Sequence, residues 1–192
     1  MEADASQVAL IVLGAGLGSR FAGGDKLGAD YKGKPVAHHV LAAVAPFNWG
    51  RKVLVHHGRP QWSGLFAEHG FELVENKERE QGMLSSLQLG AEAAGDFPRA
   101  MICLADMPLI ESGIIAALLA KAGEAESAAV ASRSGAYRGP PAVFAIHLLQ
   151  SLPKTGEGGA RGLLKDAVFV DCESNLLRDI DTVEDLKSLS LD

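Results

Sequence analysis

Six apolar residues, Val8 to Leu13, run without interruption and stop at Gly14. A short run with no polar residue at alternate positions fits a strand buried on both faces, as in a parallel sheet covered by helices. Similar runs follow at Val53–Val55, Phe71–Val74, Ala100–Leu104 and Ala128–Ala131. Helix-like segments lie between them at Val36–Ala45, Trp62–His69, Met83–Ala94 and Ile114–Ala122. This alternation predicts an α/β chain with a mostly parallel sheet. Right-handed crossovers would place helices on both faces, giving three α/β/α layers. Beyond about residue 132 turn signals dominate, at Ser134-Gly135, Gly139-Pro140-Pro141 and Lys154–Gly159. Short strands are expected at Ala142–Ala145 and Ala167–Val170, and a small helix at Ala160–Lys165. Thr182 with Asp185 three residues on marks the start of a last helix.

A chain of 192 residues predicts one domain spanning 1–192, with the polar, acidic residues 1–7 expected to be disordered. Those residues do not make a signal peptide, and no apolar stretch approaches the length of a membrane span. The net charge of −6 disfavours nucleic acid and anionic membrane as partners. Cys103 and Cys172 each sit in an apolar run, which suits buried free thiols better than a disulfide or a zinc site. These features together predict a cytoplasmic protein. The six histidines show no metal-ligand spacing and read as structural or surface residues.

The stretch after the first run is Leu13-Gly14-Ala15-Gly16-Leu17-Gly18-Ser19-Arg20-Phe21-Ala22-Gly23-Gly24-Asp25-Lys26-Leu27. Glycines let backbone N–H groups approach a ligand and adopt positive φ. Successive N–H groups can form an anion-binding concavity, and a following helical turn would add its positive end. Arg20 and Lys26 add two cations, so the loop suits a triphosphate. A dinucleotide-binding loop is disfavoured, because Ser19 breaks G-x-G-x-x-G and the second run ends in His56-His57-Gly58 without the acidic ribose ligand. A P-loop is also disfavoured, because Lys26 lies between Asp25 and Leu27. The plain alternative is a structural turn.

Asp106 follows the apolar run that ends at Leu104, where open α/β sheets bind ligands. A carboxylate there can hold Mg²⁺, although a loop or capping role before Pro108 is the competing reading. Gly82 opens a helix, and Ser85 and Ser86 offer hydroxyls to phosphate, ribose or base, or serve merely as caps. Asp181 stands directly before Thr182, so it is either an active-site acid or a cap.

The glycine-rich string resembles the signature of the MobA/MocA-like nucleotidyltransferases, the molybdenum-cofactor guanylyl- and cytidylyltransferases. The likeness covers nearly the whole chain and implies a Rossmann-like fold of the nucleotide-diphospho-sugar transferase type. It implies that Leu13, Gly14, Ala15, Gly16, Gly18, Ser19, Arg20 and Lys26 bind the nucleotide, with Arg20 and Lys26 on its phosphates. Leu104-Ala105-Asp106-Met107-Pro108 is similar to the family's L-x-D-M-P, which implies Mg²⁺ on Asp106. Asp179-Ile180-Asp181-Thr182-Val183-Glu184-Asp185-Leu186 resembles D-I-D-T-P-E-D-L, with Asp181 or Asp179 as a second ligand and Val183 in place of Pro. Gly82, Ser85 and Ser86 fall in a segment similar to the family's G-M-x-x-S-L, which implies CTP as donor. Arg138, Gly139 and Pro140 match the acceptor segment G-H-P-V-x-F, with Pro140 in place of His. Arg161 lies in a match to G-A-R-x-L-L and could clamp an acceptor phosphate.

The expected reaction is in-line attack of an acceptor phosphate on the α-phosphorus of CTP, with catalytic Arg20, Lys26 and Asp106, metal on Asp106 and Asp181, and pyrophosphate released. The acceptor implied is molybdopterin, with a molybdoenzyme as the partner the resemblance allows and a monomer or weak homodimer as the assembly. Alternatives are a GTP-using guanylyltransferase, transfer to a sugar phosphate or phospho-acid, and a non-catalytic nucleotide-binding or cofactor-delivery module.

Overall fold

A computed structural model describes residues 5–22, 24–124, 127–153 and 160–189. The expected turn at Lys154–Gly159 and Gly23 of the loop lie outside the described residues. The strands are β1 Val8–Gly14, β2 Asp30–Tyr31, β3 Lys34–Pro35, β4 Arg51–His56, β5 Glu72–Glu75, β6 Arg99–Leu104, β7 Ala129–Ser134, β8 Tyr137–Ala145 and β9 Val168–Asp171. The helices are α1 His39–Val44, α2 Ser63–Glu68, α3 Met83–Ala94, α4 Ser112–Glu124, α5 Ile146–Gln150 and α6 Val183–Leu189. Single 3₁₀ turns cover Val36–His38, Arg79–Gln81, Arg161–Leu164 and Ser174–Leu177. Among the described residues no helix is long and apolar enough to cross a membrane.

Seven strands form one sheet in the order β5-β4-β1-β6-β8-β7-β9, and β2 pairs with β3 separately. β1 runs parallel to both β4 and β6, and β8 runs antiparallel to β6 and β7. β1 is fully buried from Val8 to Val12 because both its faces are covered. Leu10 and Val12 pack with α1, α2 and α4 through Val40, Phe66, Ile115 and Leu118. Ala9, Ile11 and Leu13 face the other way, against Leu84, Leu87 and Ala91 of α3 and Leu149 of α5. The chain winds from β1 outward to β4 and β5, then returns to β6 on the other side of β1. That reversal puts the topological switch point, where such sheets bind ligands, between β1 and β6.

Three sequence expectations need correction. Ala5 is buried and its carbonyl accepts hydrogen bonds from the N–H groups of Val8 and Gly50, so residues 5–7 are anchored rather than disordered. Gly139-Pro140-Pro141 is part of β8, which begins at Tyr137. Prolines are tolerated there because β6 pairs only with Ala142–Ala145, leaving 137–141 with one neighbour, β7, across a register shift at Ala131/Ser132. Lastly, among the described residues no helical turn follows the glycine loop to add its positive end: turns lead on to β2.

Gly90 sets how closely α3 can lie on the sheet. A Cβ there would sit 2.6 Å from Ile11 Cγ2 and 3.3 Å from Val55 Cγ2. Those methyls belong to central strands that cannot retreat. We therefore expect Gly90→Val to destabilise the fold by about 2 kcal/mol through overpacking, measured by urea unfolding. Unchanged stability would mean that α3 rides the sheet loosely.

Candidate functional site

The loop after β1 is held at both ends by apolar anchors. Phe21 and Leu27 are buried, and the Phe21 N–H donates to Gly18 O at 2.9 Å. Gly18 adopts φ +61° and Gly24 φ +93°, a left-handed backbone that favours glycine. A Cβ on Gly14 would meet the Trp62 ring at 2.9 Å, whereas a Cβ on Gly16 would meet nothing within 4 Å. Gly14 is thus required by packing, and Gly16 leaves open space above the loop. Asp25 holds the loop's far arm, its Oδ2 accepting from Trp62 Nε1 at 2.9 Å and its Oδ1 from the Leu27 N–H at 3.1 Å.

Backbone hydrogen bonds join three distant segments here. The Ala105 N–H donates to Leu13 O at 3.0 Å, tying the ends of β6 and β1. The Ile180 N–H donates to Asp106 O at 2.9 Å, tying the chain's last loop to the same point. Lys26 closes the arrangement. Its ammonium donates to Asp106 Oδ2 at 2.7 Å, to Ile180 O at 2.9 Å and to Asp181 Oδ1 at 3.4 Å, which occupies all three of its donors. Burial alone would lower the Lys26 pKa, but the charges and hydrogen bonds of Asp106 and Asp181 outweigh it and hold the pKa above 10.5. Arg20, largely exposed, pairs with Asp181 Oδ2 at 2.7 Å.

Asp106 Oδ1 is buried and has no hydrogen-bond partner among the described residues. An ionised oxygen in that position is costly unless a cation or water meets it. Asp179 lies nearby. Its carboxyl pKa is raised, first by desolvation and then by the charges of Asp106 and Asp181. Among the described residues no cluster of three or more His, Cys, Asp or Glu could hold a metal by itself. A hard divalent ion here would draw on Asp106 and one more carboxylate, with phosphate or water completing its shell.

These groups line a cleft of about 410 Å³ at the switch point. Of the residues singled out from sequence, Leu13, Ala15, Gly16, Gly18, Ser19, Arg20, Lys26, Gly82, Ser86, Asp106, Arg161, Asp179 and Asp181 border it. Gly14 borders an adjoining cavity of about 270 Å³ instead. Ser85 borders neither. Its hydroxyl donates to Gly82 O at 2.8 Å and accepts from the buried Asn76 amide at 2.8 Å, so it is spent on structure. Asn76 also donates to Ser86 Oγ at 2.9 Å. Arg138, Gly139 and Pro140 line a separate pocket of about 170 Å³, which shares Leu13, Met83, Leu104, Arg161 and Asp179 with the cleft. The Arg138 guanidinium donates to Gly135 O at 2.6 Å and Tyr137 O at 2.7 Å, within its own hairpin.

Asp181 does not cap α6. Thr182 and Asp185 do, with the Thr182 N–H on Asp185 Oδ2 at 2.7 Å and the Asp185 N–H on Thr182 Oγ1 at 3.1 Å. The Asp181 carboxylate is thereby left to the two cations. Four histidines set a ring nitrogen against a backbone carbonyl: His38 to Trp62, His39 to Tyr31, His57 to Asn76 and His69 to Leu65. Both cysteines are free, and burial pushes the Cys103 thiol up to about 12, which makes it unreactive.

Sequence reasoning missed Arg79, Met83 and Leu17 as cleft residues. Leu17 and Met83 are 52% and 48% exposed, unusual for large apolar side chains, and both border the cleft. Apolar faces at such a rim suit the flat face of a heterocycle.

The model of the MobA-like NTP transferase domain matches residues 10–172. A molybdenum cofactor guanylyltransferase of Shewanella halifaxensis is 26% identical over 143 residues, covering 73% of this chain and 68% of the relative. Among solved structures, a nucleotidyl transferase from Methanothermobacter thermautotroptrophicus superposes with a TM-score of 0.79 at 20% identity, covering 95% of both chains. The Rv0371c protein of Mycobacterium tuberculosis H37Rv in complex with manganese gives a TM-score of 0.70 at 16% identity, covering 97% of this chain and 99% of that one.

If Lys26 neutralises Asp106, Lys26→Met should cost about 3 kcal/mol at pH 7, because it leaves that partly buried carboxylate without a cation while Asp181 keeps Arg20. Adding Asp106→Asn should recover much of that loss in a urea-unfolding cycle. Additive losses would show that the ammonium and Asp106 are energetically independent.

Proposed function

Since the chain belongs to the MobA-like NTP transferase family, we propose that this nucleotidyltransferase moves GMP from GTP to the terminal phosphate of a molybdopterin-type acceptor, releasing pyrophosphate. The observation that carries this reading is the Lys26–Asp106–Asp181 cluster at the mouth of the glycine loop, inside one cleft. Guanosine is favoured because the curated relatives are named molybdenum cofactor guanylyltransferases. The acceptor is taken from the same names, and the pocket lined by Tyr137, Pro140 and Phe144 beside the cleft is the proposed place for its ring system.

In this reading the residues work by position and charge. The glycine-loop backbone at Gly16 and Gly18 receives the triphosphate. Arg20, the most exposed of the cluster, swings from Asp181 onto phosphate oxygens. Lys26 holds the Asp106 carboxylate by Oδ2 and so keeps Oδ1 free. The unpartnered Oδ1 fits Mg²⁺ or Mn²⁺, with Asp181 or Asp179 as the second ligand; a manganese complex is known for the mycobacterial neighbour. Such an ion, when bound, neutralises charge on the leaving pyrophosphate. Leu17 and Met83 offer their apolar surfaces to the base. The reaction is proposed to run in the cytoplasm.

A second reading takes CTP as donor, and one observation favours it. Gly82-Met83-Leu84-Ser85-Ser86-Leu87 is the segment whose likeness to G-M-x-x-S-L implies a cytidylyl donor. Ser85, however, spends its hydroxyl on Gly82 and Asn76, so it is not free to read a pyrimidine. Pyrophosphate release with molybdopterin and each nucleotide separates the two. We expect kcat/KM for GTP to exceed that for CTP by at least roughly tenfold, a difference of about 1.4 kcal/mol at the transition state. The reverse preference would establish the cytidylyl reading, and release from neither would remove both.

A further inference from the structure

Arg79 stands in the 3₁₀ turn before α3, outside every motif considered above. Its side chain borders both the 410 Å³ cleft and the adjoining 270 Å³ cavity. The two spaces also share Gly16, Leu17, Gly18 and Lys26, so Arg79 lies across the glycine loop where they meet. Its Nε is buried and has no hydrogen-bond partner among the described residues. Among the described residues its one ion pair is made by that same Nε with the exposed Glu80, at 3.8 Å, beyond hydrogen-bond distance. A pair that long and that solvated is worth little and does not explain why the guanidinium packs into the cleft wall.

The loop's own two cations, Lys26 and Arg20, both contact carboxylates. Lys26 has an acceptor for each of its three protons, and Arg20, which must leave Asp181 to reach phosphate, supplies a single charge for a polyphosphate that carries several. A triphosphate with its α-phosphorus near Asp106 needs further positive charge for its outer phosphates, and a guanidinium fork suits phosphate oxygens. We propose that Arg79 binds the β- and γ-phosphates of the donor, and the pyrophosphate they become, at the junction of the two cavities. This rests on the nucleotidyl-transfer reading for the donor and adds a phosphate-binding residue to it. It also accounts for the buried Nε that lacks a hydrogen bond, which a phosphate oxygen would satisfy. Asp25, the acidic residue of the rear cavity, does not compete, since its two oxygens are taken by Trp62 and the Leu27 N–H.

The test is calorimetric binding of pyrophosphate, GTP, CTP and the matching monophosphates to the wild type, Arg79→Gln and Arg79→Lys. Loss of a charge-assisted phosphate contact should weaken pyrophosphate and the preferred triphosphate by roughly 10- to 100-fold in Arg79→Gln. The monophosphate should change less than twofold, and Arg79→Lys should recover part of the loss. Unchanged pyrophosphate binding in Arg79→Gln would overturn the proposal, as would an equal loss for the monophosphate or a wild type that binds no pyrophosphate. Because pyrophosphate carries neither base nor acceptor, its loss in Arg79→Gln supports the proposal whatever acceptor is later found.

Discussion

One ammonium group holds this site together. Lys26 reaches Asp106 across 80 positions of sequence and Asp181 across 155, and it also takes the carbonyl of Ile180. The three segments it joins leave the ends of β1 and β6 and the start of α6. Backbone hydrogen bonds from Ala105 to Leu13 and from Ile180 to Asp106 fix the same junction independently of charge. The sheet order supplies the reason for the meeting, since β1 and β6 are the neighbours at which the winding reverses. Fold and site are therefore one construction: the strand order places the acids beside the glycine loop, and Lys26 makes their proximity tolerable.

That tolerance is incomplete, and the proposed chemistry rests on its incompleteness. Asp106 is satisfied at one oxygen and unsatisfied at the other. Asp179 holds its proton more tightly than an isolated carboxyl, because of partial desolvation and the neighbouring acids. A fold that maximised its own stability would pair these groups or replace them with apolar ones. In the proposed function, keeping them poised for a divalent ion and a polyphosphate trades stability for binding, as functional sites generally do.

Much of this was legible from local sequence. Val8–Leu13 reads as a doubly buried strand and is one, and the helices follow its alternation with the other apolar runs. Thr182 and Asp185 announce a capping box and form it. What the sequence hides is long-range or contingent. Nothing near Asn76 reveals that its amide takes the hydroxyls of Ser85 and Ser86, which changes Ser85 from a candidate ligand to a brace. The prolines of β8 read as a turn, because only the sheet order shows that one side of the strand has no partner there. Arg79 sits in a polar run with no periodicity, and only the folded chain shows that it faces the loop. A helical turn after the glycine loop would have added its positive end, yet among the described residues the loop's own turns, anchored by Phe21 and Leu27, lead on without one.

The most direct measurement is Mn²⁺ binding by electron paramagnetic resonance, with a non-hydrolysable GTP or CTP analogue present, for the wild type and Asp106→Asn. The account predicts that the ternary signal forms in the wild type and that Asp106→Asn weakens the protein-bound Mn²⁺ by at least roughly tenfold, the loss that even an outer-shell partner of a metal ligand causes. Equal Mn²⁺ affinity in both would contradict it, because Asp106 Oδ1 would then have no part in holding the ion.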